Sequence, residues 1–303
     1  MSEHYPRIRI FSTGDYLAIR EGLTLTFYMG HDHADVAPAV LHALEIYRRA
    51  IAPRVLGQYS HEGGQWVRLD EAGWEGLRNE MLDGSSVIFD LMETPGGEHR
   101  SRFVYFGRLP ENPTRIFGPR SVSAVSFWLS TEFLEAHGPE RMRELALELA
   151  SGLPFCSGFT GLSFNCEMDL PGVEKKVREL CFRYPGMDIP EPDLCSWDIG
   201  TRVRGVSWLN FLGQPVLGEL GGAAGLRARL HSPGTTVQEM EGERAVVTLG
   251  PWPEAGDTEQ GRTLPAYREL ARVLEPWLYH EESRHEHLQV PEHVRRWERR
   301  FLD

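Results

Sequence analysis

Positive charge is scarce in this chain, and lysine is scarcer still. Among 303 residues there are 32 Lys and Arg against 44 Asp and Glu, a formal charge of −12, and the only lysines are Lys175 and Lys176. A field of that sign repels phosphate and anionic headgroups, which argues against a nucleic-acid reader or a membrane-surface binder. Long apolar runs are missing too: no stretch reaches the roughly 18 residues of a membrane span, and residues 1–10 lack the apolar core of an export signal. The expected location is the cytoplasm. Cysteine is limited to positions 156, 166, 181 and 195. Their spacing fits neither a zinc knuckle nor a two-residue redox motif, and they read as buried, reduced thiols.

Catalytic signatures are equally thin. No Gly-x-Ser-x-Gly elbow occurs, and the nearest matches, Gly84-Ser85-Ser86 and Cys156-Ser157-Gly158, read as turns. Gly218, Gly221 and Gly222 lack a phosphate-loop lysine and a preceding strand, so a bend or helix end is expected there. His31-Asp32-His33 could turn two imidazoles the same way on an extended segment, but two ligands do not make a metal site. Glu281, Glu282, His285, Glu286 and His287 form a second ligand-type cluster in a charged stretch that composition alone explains. Neither a catalytic residue, a metal nor a cofactor is assigned.

What is present is an ordinary globular composition, 41% hydrophobic and 25% charged, carrying alternating strand and helix signals. Tyr16 to Arg20 and Leu23 to Tyr28 read as a hairpin turning at Glu21-Gly22. Val36, Val40, Leu41, Leu44, Tyr47 and Ile51 mark one helical face stopped by Pro53. Gln65 to Leu69 reads as a short strand, and Asp70 as the cap of a helix bearing Trp74, Leu77 and Met81 and ending at Gly84. Ser86 to Met92 and Arg102 to Arg108 are strands joined across Thr94-Pro95-Gly96-Gly97.

Beyond residue 120 the pattern resumes. Ser121 to Leu129 is a strand, and Ser130 or Thr131 opens a helix toward Leu149 that Gly138-Pro139 breaks in two. Phe159 to Cys166 is a strand and Val173 to Phe182 a helix. Thr235 to Met240 and Arg244 to Leu249 form a hairpin across Glu241-Gly242-Glu243, and Pro265 opens a helix running to Tyr279. The fold class expected is α+β: two similar units, 1–120 and 121–280, each a sheet with helices on one face, suggesting an internal duplication in one compact body. Residues 281–303 are a charged tail whose Val294, Trp297 and Phe301 form an apolar stripe that docks on the body, with Arg295, Arg296, Arg299 and Arg300 outside.

The richest region runs from Gly205 to Pro215, then through the proline-flanked loop Gly250 to Asp257 to Leu264-Pro265 and Tyr267; Trp208 and Phe211 read as core. These segments, with Ser126-Phe127-Trp128-Leu129 and Gly158 to Phe164, resemble the TsiV-like type VI secretion immunity family over most of the chain, from Tyr16 to Tyr279. The resemblance implies a non-enzymatic immunity protein that binds a cognate antibacterial toxin, most often a nuclease, and it carries no catalytic residues over. A nuclease groove is cationic, so an acidic partner would be drawn to it. The residues expected at the contact are Glu239, Glu241, Glu243, Glu254, Asp257 and Glu259, with Trp252 as an aromatic anchor. Two other readings remain open at this point: a metal-dependent hydrolase using His31 and His33, and a non-catalytic adaptor subunit.

Overall fold

The computed structural model describes residues 3–12, 16–60, 65–84, 86–93, 98, 100–109, 118, 120–281 and 290–303. In chain order its elements begin β1 (Arg9–Phe11), β2 (Leu17–Met29), α1 (His33–Ile51), β3 (Gln58–Ser60), β4 (Trp66–Arg68), α2 (Glu71–Asp83), β5 (Val87–Met92) and β6 (Arg102–Gly107). They continue with β7 (Ser123–Ser130), α3 (Thr131–Ser151), β8 (Ser157–Cys166), α4 (Val173–Cys181), α5 (Pro192–Ser196), β9 (Leu209–Leu212), α6 (Val216–Glu219) and α7 (Gly222–Arg227). The last are β10 (Thr235–Met240), β11 (Arg244–Leu249), α8 (Pro265–Leu274) and α9 (Glu292–Glu298). The α+β class is as expected, but the strands form one sheet instead of two.

That sheet is antiparallel throughout, in the order β10-β11-β9-β8-β2-β7-β6-β5-β3-β4, with β1 also on β2. At its centre the first strands of the two halves are exchanged: β2 lies against β8, and β7 lies against β6. Moving outward, the first half places its last strand innermost, while the second half places its earliest strand innermost. The two connectivities therefore differ, and the expected duplication is not reproduced.

The hairpin expected at Glu21-Gly22 is instead one continuous strand of 13 residues. Gly22 pairs with Ser130 on one side and Ser163 on the other. Its missing side chain serves a close approach, since a Cβ there would stand 2.2 Å from Asn165 Nδ2. Glu21, a poor strand residue by propensity, is buried because Ile8 N–H and Thr131 Oγ1–H donate to its carboxylate at 2.8 and 2.9 Å and Arg9 pairs with it.

Strand alternation sends Leu23, Leu25, Phe27 and Met29 to one face, where α1 and α3 close a core that includes Tyr47, Phe103, Phe127 and Leu145. Gly138, at φ 77°, divides α3 as expected. The opposite residues Thr24, Thr26 and Tyr28 face a second, smaller cluster of Val122, Ala124, Phe159, Cys195, Ile199 and Tyr279. There the hydroxyls of Thr24, Thr26 and Ser126 bond one another at 2.9–3.3 Å. Trp297 and Phe301 seat the C-terminal segment in the main core. Arg300, expected outside, instead turns its side chain inward: Nε donates to Pro185 O at 2.9 Å, and the guanidinium lies 3.9 Å from the Trp297 ring centre, near Asp188. The predicted turn 94–97 and the cluster from Glu282 to His287 lie outside the described residues.

Candidate functional site

The acids predicted for partner contact fall into two groups that the hairpin holds apart. Glu241 and Glu243 sit at the β10–β11 tip, whereas the loop beyond Leu249 begins at the strands' other end, about 17 Å away by strand rise. Several of these charges are engaged within the chain. Glu239 accepts from Arg227 at 2.8 Å. Asp257 is buried, accepts from the N–H groups of Glu259 and Gln260, and pairs with Arg183, which also reaches Glu259 at 2.7 Å. Glu254 bonds His4 at 2.6 Å, and Trp252 stacks on the same imidazole with ring centres 4.8 Å apart. The 250–262 loop thus clasps residues 3–4, with Arg262 donating to Glu3 O.

The paired-histidine reading is overturned by geometry. His33 opens α1 fully buried, its Nδ1 2.8 Å from the Tyr105 hydroxyl and its Nε2 2.9 Å from Met81 O. Both ring nitrogens are taken, and burial lowers its pKa, favouring the neutral ring. A Cβ on Gly107 would clash with this imidazole at 2.4 Å, so that glycine makes its room. His31 is exposed and does not share the site. Among the described residues no group of three metal-ligating side chains converges.

A different surface is the more developed. On the second sheet face, beyond the hydroxyl cluster, a groove of about 490 Å³ crosses the strands. Strand alternation supplies Asp90 from β5, Arg102, Val104 and Phe106 from β6, and Trp128 from β7. The loop after β8 adds Glu167, Met168 and Asp169; 190–194 adds Glu191, Asp193 and Leu194; the edge strand β4 adds Trp66. Among the described lining residues five carboxylates thus stand against one guanidinium. Asp90 holds that guanidinium through Arg102 Nε at 2.8 Å and Nη2, and it lies 4.8 Å from the Trp128 ring centre.

The remaining acids differ in how far they are engaged. Glu167 accepts from the Tyr16 hydroxyl at 2.7 Å, and Asp193 from Arg108 at 2.7 Å. Burial pushes the Glu191 carboxyl pKa up, although Arg204 opposes it. Asp169 is exposed and makes no ion pair among the described residues. Trp128 is nearly fully buried, and its indole Nε1–H has no hydrogen-bond partner among the described residues. Trp66 and Leu194 are 43% and 46% exposed, two of the few large apolar side chains left so among the described residues. No local motif announces this site, because its parts come from six separated segments; only alternation along β5 and β6 could have put Asp90 and Arg102 on one face.

These features place the chain among α+β proteins built on one broad antiparallel sheet, with helices closing one face and a groove on the other. The chain belongs to the TsiV family, described as type VI immunity for VRR-NUC, whose model matches residues 39–301. The solved structure of the Pseudomonas aeruginosa T6SS protein PA0821 has the same fold, with a TM-score of 0.79 over 98% of this chain and 88% of that one, at 20% identity. Curated protein sequences give no match. No helix among the described residues is long and apolar enough to cross a membrane.

Proposed function

We propose that this chain is an immunity protein that binds a VRR-NUC nuclease toxin and covers its active site, so that nucleic acid cannot enter. The family match over residues 39–301 carries this reading. Charge supports it: a nuclease must hold a polyanion in a cationic groove, and a partner of charge −12 is attracted to that groove from a distance. Neutralisation of this kind is stoichiometric and non-enzymatic, resting on complementarity instead of turnover. It belongs in the cytoplasm, where the toxin's substrate lies, and the four free thiols accord with a reducing compartment.

The test is co-expression with the product of the adjacent gene in a sensitive bacterium, followed by co-purification. Survival together with a stable complex is the expected result. Death despite full expression, with no complex, would overturn the reading.

A further inference from the structure

We propose that the acid-lined groove on the second sheet face is the docking surface for the partner nuclease, and that it receives a cationic segment carrying an Arg or Lys side chain. The inference rests on the immunity reading and adds to it the surface and the chemistry of the contact. Three independent features converge there. The described lining carries more carboxylates than guanidinium groups, and Asp169 stands exposed without an ion pair among the described residues. Trp66 and Leu194, from two different elements, leave apolar area in water beside those charges. Trp128 lies on the groove floor, and its buried Nε1–H has no acceptor among the described residues.

Aromatic and aliphatic anchors surrounded by polar groups are the composition of an interface centre. The sign of the lining selects the occupant. A second copy of this chain would bring another −12 to an already acidic surface, whereas a nuclease presents the Arg and Lys side chains with which it grips phosphate. A guanidinium entering beside Asp169 would find a carboxylate with no ion pair among the described residues, and its stem would lie along Trp66 and Leu194. The hairpin tip at Glu241 and Glu243 offers charge but no comparable apolar neighbour among the exposed large side chains.

The experiment uses the full chain and a catalytically inactivated form of the cognate VRR-NUC nuclease, with affinity measured by calorimetry. The variants are Trp66→Ala/Asp169→Lys/Leu194→Asp in the groove and Glu241→Lys/Glu243→Lys at the hairpin tip. The groove variant is expected to bind about 100-fold more weakly, and the hairpin variant within about threefold of wild type. Raising salt should weaken the wild type more than the single variant Asp169→Lys. That single change touches an exposed side chain with no ion pair among the described residues, so it keeps the test valid if the triple variant folds poorly; alone it should cost about tenfold. Groove variants that bind like wild type would overturn the proposal while leaving the immunity reading intact. A wild type that forms no complex would bring down both. A concentration-dependent dimer of the chain that the groove variant abolishes would also overturn it, by assigning the groove to self-association.

Discussion

The two faces of the one sheet are finished by different chemistry. On the first, Leu23, Leu25, Phe27 and Met29 meet α1 and α3 in an apolar core where Phe127 packs between Tyr47 and Phe103. On the second, the alternate residues of the same strands are Thr24, Thr26 and Ser126, satisfied by each other, and beyond them Arg102, Asp90 and Trp128 floor a groove. The same strands thus build a helix-covered core on one side and an open groove on the other, so side chains of the groove can change without disturbing that core.

The largest effect that would sharpen this contrast is expected on the first face. Phe127→Ala removes a fully buried ring, so unfolding free energy should fall by about 3–5 kcal/mol. Denaturant melts check this, and a loss below about 1 kcal/mol would mean that the helix-covered face is not the main source of stability. Next, Gly22→Ala forces Asn165 to move, because its side chain occupies the space the methyl needs and donates to Leu129 O at 3.3 Å. A cost of about 1–3 kcal/mol is expected for overpacking at this crossing of strands; a neutral result would favour the turn that the sequence suggests over the strand.

A pH effect comes third. Burial alone would raise the Glu132 pKa, but its own backbone N–H, Arg20, Ser130 and Arg9 together hold it down, from the ordinary 4.5 to about 2. A depressed folded-state pKa means that this contribution is fully present above about 4.5 and is lost as pH falls toward about 2. Glu132→Gln should therefore flatten the acid limb of a stability–pH curve between those values, while an unchanged limb would show that other carboxylates govern it. Smallest is the exposed pair Glu239–Arg227 on the edge hairpin: Glu239→Gln should alter stability by no more than about 0.5 kcal/mol. A larger loss in the same melts would give the hairpin a structural weight that its exposure does not suggest.

Legibility in the sequence followed the range of the forces involved. Local patterns were readable: the 3.6-residue stripe of α1, the Asp70 cap donated to by Gly73 N–H, the break at Gly138 and the β10–β11 hairpin all form as their residues suggest. Glu21-Gly22 misled because the features that keep it extended are tertiary: Arg9, Thr131 and Ile8 satisfy the charge, and Asn165 fills the space over the glycine. The acids of the 250–259 loop stood out in sequence, yet Asp257 and Glu254 bind Arg183 and His4, partners more than 70 residues away. The groove was invisible for the complementary reason, since Trp66, Asp90, Asp169 and Leu194 become neighbours only through the strand order.

The most direct test of where the contact lies is amide hydrogen exchange of the chain alone and in complex with the inactivated nuclease. New protection is expected at 66–68, 167–169 and 190–194, with the hairpin tip at 241–243 exchanging as in the free chain. Protection confined to 241–243 and 252–259, with the groove segments unchanged, would contradict the assignment and return the interface to the acidic hairpin and loop.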